Sequence, residues 1–174
     1  AGKRVVVRRA RPGEKLTILD GTTVELSEKN LVIADAEKPA ALAGVMGGLD
    51  SGVTGETTDI LLESAIFDPV SVRTTSRMLN VSSDSSYRFE RGVDFDMTEL
   101  ASRRACQLIL ETAGGELATA AADVNTGRPA EQEIFCRFDR IRKLIGSAVS
   151  NERMVEIFKA LRLEVSDVTG ESCR

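Results

Sequence analysis

Apolar residues in the first part of the chain fall in short runs of strand length. Val5-Val6-Val7 lies within Arg4 to Arg9. Leu16 to Leu19 and Val24 to Leu26 flank Asp20-Gly21. That dipeptide suits the tight turn between two antiparallel strands, so a hairpin is predicted there. Leu31 to Ala34 is a short run with β-branched residues, and Ala40 to Met46 is small and apolar, ending at Gly47-Gly48. Ile60 to Phe67 predicts a further buried strand, interrupted by Glu63. Residues 4 to 67 therefore read as β-rich.

The period then changes. Asp68-Pro69 is a helix start, a carboxylate able to cap the first turn followed by proline at the first helical position. This helix is predicted to run to about Leu79. A longer one is predicted from Asp94. Met97, Leu100, Ala101, Ala105, Leu108, Ile109 and Thr112 recur at three- and four-residue steps, which predicts one inward face. Gly114-Gly115 ends it. Residues 121 to 131, with Asn125, Gly127 and Pro129, read as a linker. Ile134 to Phe138 is a candidate strand. Phe138 to Ile145 and Asn151 to Leu161 read as short helices split at Gly146, with Ser150 as a cap. Glu164 to Val168 predicts a last strand with no visible partner after it.

Composition narrows the functional classes. The chain has 174 residues, 42% of them hydrophobic, enough for a core. It holds no apolar run of membrane-spanning length and no signal-peptide pattern. It starts at Ala1 and is expected to be a piece of a longer polypeptide. The three cysteines, Cys106, Cys136 and Cys173, are far apart and form no CxxC pair. They read as two core thiols and one near a chain end, not as a disulfide framework or metal site, and point to a reducing compartment. A net charge of -4 argues against a bulk nucleic-acid surface but leaves room for a local basic groove. There is no histidine, so no Ser-His-Asp triad, Cys-His dyad or histidine zinc site can be built from these residues alone.

Three features are candidates for chemistry. Ala43-Gly44-Val45-Met46-Gly47-Gly48 puts three glycines within five residues at a strand end. Such a segment permits close backbone approach by a ligand, and equally serves a tight turn or bulge. It has neither the spacing of a dinucleotide loop nor the Lys-Ser/Thr ending of a phosphate loop. Glu63 sits inside apolar sequence, either facing solvent from a half-buried strand or held in a pocket. In a pocket, desolvation raises its pKa and it needs a donor partner. The run Ser82 to Asp94 carries four serines, then Arg88 and Arg91. Arg73 and Arg77, four apart on the predicted helix, share a face and join them as a candidate basic groove. The competing reading is a solvated helix face with ion pairs to Glu90 or Asp94.

Taken in order, Val32-Ile33-Ala34-Asp35, Ala41 to Gly48, Leu62-Glu63-Ser64-Ala65, Phe67-Asp68-Pro69 and Arg88-Phe89-Glu90-Arg91-Gly92-Val93-Asp94 resemble the editing domain of the bacterial phenylalanyl-tRNA synthetase beta chain. Phe138-Asp139-Arg140-Ile141 and Leu144-Ile145-Gly146 resemble the start of the small winged-helix-like domain that follows it. The resemblance implies an α+β architecture. Residues 1–120 would be a β-rich, sandwich-like editing domain with packed helices, lacking its N-terminal part. Residues 121–131 would be a linker, and 132–174 an incomplete winged-helix-like domain.

The family's editing domain hydrolyses tyrosine wrongly joined to the phenylalanine tRNA. By position, Glu63 matches the carboxylate that recognises the phenolic hydroxyl. Ala43 and Gly44 match the wall beside that ring. Ser83 and Ser85 fall where small or hydroxyl residues line the site. Arg73, Arg77, Arg88 and Arg91 become candidate contacts to the tRNA acceptor end. No residue is assigned as nucleophile or base, and no metal site is expected in this segment. ATP and magnesium belong to the parent enzyme, which attaches phenylalanine to its tRNA. The implied partners are that tRNA and the synthetase's alpha subunit, in the cytoplasm and away from membranes. Three departures stand out. The family's site histidine lies before residue 1, Ser85 replaces a common alanine, and Tyr87 stands where histidine is frequent. They leave open a non-catalytic RNA-binding or scaffold module. A serine hydrolase on Ser83 or Ser85 lacks both a base and the G-x-S-x-G elbow.

Overall fold

The strand Leu31–Ala34 alternates half-exposed and buried residues, so one face is committed to a core and the other is left for something else. In the computed structural model, which describes residues 4–118, 121–125, 127–128, 130 and 132–174, this strand is β4 of a four-stranded antiparallel sheet. The order is β1 (Val6–Arg9), β4, β5 (Pro39–Leu42), β6 (Met46–Gly47). The predicted hairpin forms as β2 (Lys15–Thr17) and β3 (Thr23–Glu25). It meets the sheet through a bridge between Ile18 and Gly48. Val32, Ala34 and Leu42 point to the core with Ile18, Leu26, Val45 and Val72. Arg8 binds Glu14 through both guanidinium nitrogens, at 2.7 and 2.9 Å, joining β1 to the start of the hairpin.

Three helices follow. α1 (Pro69–Leu79) starts where the sequence predicts, with the Asp68 carboxylate accepting from the Ser71 N–H at 2.6 Å. Its buried residues are Val72 and Thr75. Thr75 Oγ1 accepts from the fully buried Asn30, whose Oδ1 takes the Ser27 N–H, so the loop before β4 is tied to the helix. α2 (Asp84–Phe89) was not anticipated; the sequence predicts only a serine- and arginine-rich turn there. The signal was present in Ser83 and Ser86, which cap each other reciprocally. α3 (Met97–Ala113) ends at Gly114 as expected.

Two expectations for this unit fail. Ile60 to Phe67 is not a strand, and Ile60 and Leu61 are exposed. A strand needs a neighbouring backbone, and the sheet offers this segment none; only Ala65 and Phe67 reach the core. The predicted inward face of α3 buries no residue, and Met97, Leu100 and Leu108 are exposed. Periodicity defines an apolar face, but a partner must be present to cover it.

The chain divides into two compact units, residues 1–125 and 126–174. The second contains β7 (Cys136–Arg137), α4 (Phe138–Ile145), α5 (Asn151–Ala160) and β8 (Ser172–Cys173). Gly146 ends α4 in a left-handed conformation, and Ser150 caps α5 by accepting from the Arg153 N–H. Both were legible in sequence. The terminal strand lies at 172–173 and pairs with β7, not at 164–168 without a partner as predicted. Phe138, Met154 and Cys173 form the core of this unit. The linker expectation for 121–131 includes Pro129, which lies outside the described residues. The sheets are antiparallel, and helices follow the strands in the first unit and lie between β7 and β8 in the second, as in an α+β fold. No helix among the described residues is long and apolar enough to cross a membrane.

Candidate functional site

The face of the sheet turned away from the core forms the floor of a cavity of about 630 Å³, within the range of small-molecule pockets. Ile33 on β4 stands opposite Ala41 on β5, and Ala41 opposite Gly47 on β6, so one row of the ladder supplies the floor. Leu19, at the end of the hairpin, leans over Gly47. A Cβ at Gly47 would lie 3.2 Å from the Leu19 side chain. Phe67 and Phe89 form an edge-to-face wall, with ring centres 5.0 Å apart and planes at 69°.

The apolar run from Ala40 to Met46 is broken by a turn in which the Val45 N–H donates to the Leu42 carbonyl. Gly44 occupies this turn at φ 69°, and a Cβ there would come within 2.8 Å of Phe67 and 2.9 Å of Val72. Glycine is required at Gly44 for both reasons. Ser83 and Ser85 clamp the turn from α2. The Ser83 hydroxyl donates to the Val45 carbonyl, and the Ser85 hydroxyl donates to the Gly44 carbonyl at 3.2 Å. Ser83 Oγ also accepts from the Ser86 N–H, so its bonding is used in holding α2 against the sheet.

Glu63 lines the same cavity. The residue as a whole is exposed. The surrounding apolar wall still crowds the carboxyl group, and burial pushes its pKa above the ordinary value. No compensating hydrogen bond or ion pair is recorded for the side chain among the described residues. A part-desolvated carboxyl on a pocket wall can accept a hydrogen bond from an incoming polar group.

The direction of this shift sets a stability test. A native pKa raised above the unfolded one means that the ionised native form is disfavoured. The penalty is absent below the unfolded carboxylate pKa and grows as pH rises through the native one. Glu63→Gln is therefore expected to leave the urea midpoint unchanged or higher at neutral pH, with the difference vanishing in acid. A clear loss of stability at neutral pH would mean that Glu63 serves the fold.

The structure thus brings Glu63, Gly44, Ser83 and Ser85 to one cavity. Ala43 is buried in the core behind the turn and does not line it. The four arginines do not converge on the cavity. Arg73 donates to the Glu90 carbonyl at 2.9 Å. Arg91 pairs with the Glu90 carboxylate at 2.6 Å and lies over the Tyr87 ring at 3.6 Å. Arg88 turns back to the Asp84 carbonyl of its own helix. Arg77 is exposed on α1. Sequence reasoning missed Leu19, Phe67 and Phe89 as wall residues. Leu19 read as part of a strand, Phe67 as part of a buried strand and Phe89 as one residue of the serine- and arginine-rich run, so their own patterns did not mark them as wall residues.

The family described as the B3/4 domain matches residues 1–114. Among curated proteins, the phenylalanine–tRNA ligase beta subunit of Moorella thermoacetica is 48% identical over 94% of this chain and 20% of its own length. The subunit of the same name from Geobacter metallireducens is 42% identical over the whole chain and 23% of its own length. That from Protochlamydia amoebophila is 45% identical over 92% of the chain and 20% of its own length. The chain thus spans about a fifth of the length of these relatives.

Proposed function

Since the chain belongs to the B3/4 domain family, we propose that it is the proofreading portion of a phenylalanine–tRNA ligase beta subunit, hydrolysing tyrosine mistakenly joined to the phenylalanine tRNA. The observation that carries this reading is Glu63, which shares a mainly apolar cavity with Asp20 and Asp84 and whose pKa is raised by burial. Tyrosine differs from phenylalanine by one hydroxyl. A synthetic pocket that is merely apolar rejects such an addition by only about a hundredfold. A proofreading pocket must do the opposite and require the hydroxyl. Here the Phe67–Phe89 wall and the Ile33–Ala41–Gly47 floor take the ring, and Glu63 accepts the phenolic O–H. With phenylalanine bound, the part-buried carboxyl would have no donor from the ligand, at a cost of about 1–3 kcal/mol.

Hydrolysis on this reading rests on orientation. Among the described residues, the hydroxyls of Ser83 and Ser85 donate to backbone carbonyls and not to a carboxylate, so neither is set up as a nucleophile. The ester is held so that a water molecule, helped by the terminal ribose hydroxyl of the tRNA itself, attacks its carbonyl. Ser85 and the Gly44 turn fix the wall against which the aminoacyl group is placed. ATP, magnesium and the alpha subunit enter only through the parent ligase, and no step here uses them. The exposed Arg77 and Arg88 are the better-placed candidates for tRNA phosphates. Arg73 and Arg91 are already engaged at Glu90.

The test is the ligase containing this chain, assayed for release of amino acid from tyrosyl- and phenylalanyl-tRNA with the phenylalanine tRNA in both. Preferential release of tyrosine is expected. Equal rates for the two esters would remove the proofreading assignment and favour a scaffold or RNA-binding role.

A further inference from the structure

Cys136 and Cys173 are separated by most of the second unit in sequence, yet they are direct cross-strand partners in the β7–β8 ladder. Two residues further along, the Phe138 N–H donates to the Glu171 carbonyl at 3.0 Å, which continues the same register. Directly opposed residues of an antiparallel pair have Cα atoms about 4.5–5.5 Å apart and side chains on the same face. A disulfide spans about 4.4–6.8 Å between Cα atoms, so the backbone already provides the required separation. Both sulfurs belong to one small cluster with Phe138 and Met154. Nothing in the proofreading reading uses either thiol.

We propose that Cys136 and Cys173 form a reversible disulfide site, oxidised by peroxide, that staples β7 to β8. The two thiols differ in access, and this orders the chemistry. Cys136 is half-buried, whereas Cys173 is 2% exposed. Burial, with the neighbouring Cys136 as a lesser cause, also pushes the Cys173 thiol up. Cys136 therefore reacts first. Its thiolate attacks one oxygen of hydrogen peroxide, an S–O bond forms, the O–O bond breaks, and the leaving hydroxide takes a proton to become water. Cys173, as thiolate, then attacks the sulfenic sulfur. The S–S bond forms, the S–O bond breaks, and a second water leaves. Two thiols are oxidised, one peroxide is reduced, and two waters are made. A dithiol reductant reverses it by exchange.

The link would matter because β7 and β8 contribute only two residues each to their ladder, while α4 and α5 lie between them in sequence. A covalent closure there limits the unfolded chain and holds the ends of the unit together.

The experiment uses the whole chain, treated with hydrogen peroxide while folded, then denatured, alkylated and mapped by peptide mass spectrometry. The expected result is a fall from the three thiols of the sequence to one, Cys106, with a 136–173 cross-linked peptide. Cys106→Ser should keep that cross-link. Cys173→Ser should leave Cys136 as a sulfenic acid trapped by dimedone. Oxidation in denaturant is the control for register. The 106–136 and 136–173 loops are of similar length, so the unfolded chain should give a mixture of pairings and the folded chain the 136–173 pairing alone. Three surviving thiols at peroxide levels that oxidise glutathione would overturn the proposal. So would cross-links through Cys106 in the folded chain, or accumulation of sulfinic acid at Cys136. None of these outcomes depends on whether the chain edits tRNA.

Discussion

Gly48→Ala is expected to destabilise the first unit by about 3 kcal/mol or more. The backbone at Gly48 has an ordinary φ of -81°, so conformational strain is not the cause. The cause is space. A Cβ there would sit 2.4 Å from the Ala40 carbonyl oxygen and 3.0 Å from the Leu16 side chain. The first of these is backbone and cannot rotate away. It is also the acceptor of the Gly48 N–H at 2.8 Å, so relieving the contact breaks the hydrogen bond that holds the end of β6 to β5, beside the Ile18–Gly48 bridge. Gly21→Ala is the useful contrast. It has a positive φ of 87° but open space around it, so only the backbone preference is lost, about 1–2 kcal/mol. Urea titration of both variants decides the matter. A Gly48→Ala midpoint no lower than that of Gly21→Ala would contradict the packing argument.

Glu63→Ala, introduced into the proposed parent ligase, is expected to lower kcat/KM for tyrosyl-tRNA hydrolysis by roughly 10- to 100-fold. That range corresponds to losing one hydrogen bond to a charged group, about 1.5–3 kcal/mol. Attachment of phenylalanine should be unaffected, since the proposal places that reaction elsewhere in the parent. The residual hydrolysis should also lose its preference for tyrosine over phenylalanine, because the carboxyl is the only feature of the cavity proposed to read the hydroxyl. Glu63→Gln separates recognition from bulk. It retains an acceptor and should lie between wild type and alanine. A change of less than about threefold in Glu63→Ala would show that some other group reads the hydroxyl.

These predictions differ in how far they were visible in the chain. Glu63 was marked by being a carboxylate in an apolar run, with a pocket as one of two open readings, but the strand expected around it does not form. The run is an irregular segment along the cavity, not a sheet strand, and the carboxyl reaches the cavity because no ladder constrains it. Gly48 was visible only as one of three clustered glycines. That it is the one against a carbonyl oxygen, while Gly44 needs its positive φ and Gly47 makes room for Leu19, is a matter of neighbours. The cysteines were read as unrelated thiols, with Cys173 assigned to a chain end. Cys173 is the most buried of the three, and β8 sets it against Cys136.

The sequence by itself determined the local features. Asp68 and Pro69 start α1, Gly114 and Gly146 end helices, Ser150 caps α5, and Asp20-Gly21 turns the hairpin. Each of these acts within a few residues, through a cap, a missing N–H or a permitted φ. Only the tertiary structure decided which apolar faces find a cover. It left α3 exposed, made Phe67 and Phe89 a wall, kept Ala43 in the core, and turned the basic candidates Arg73 and Arg91 onto Glu90. The physical reason is that burial and pairing are properties of two surfaces at once, and a pattern along one segment describes only its own.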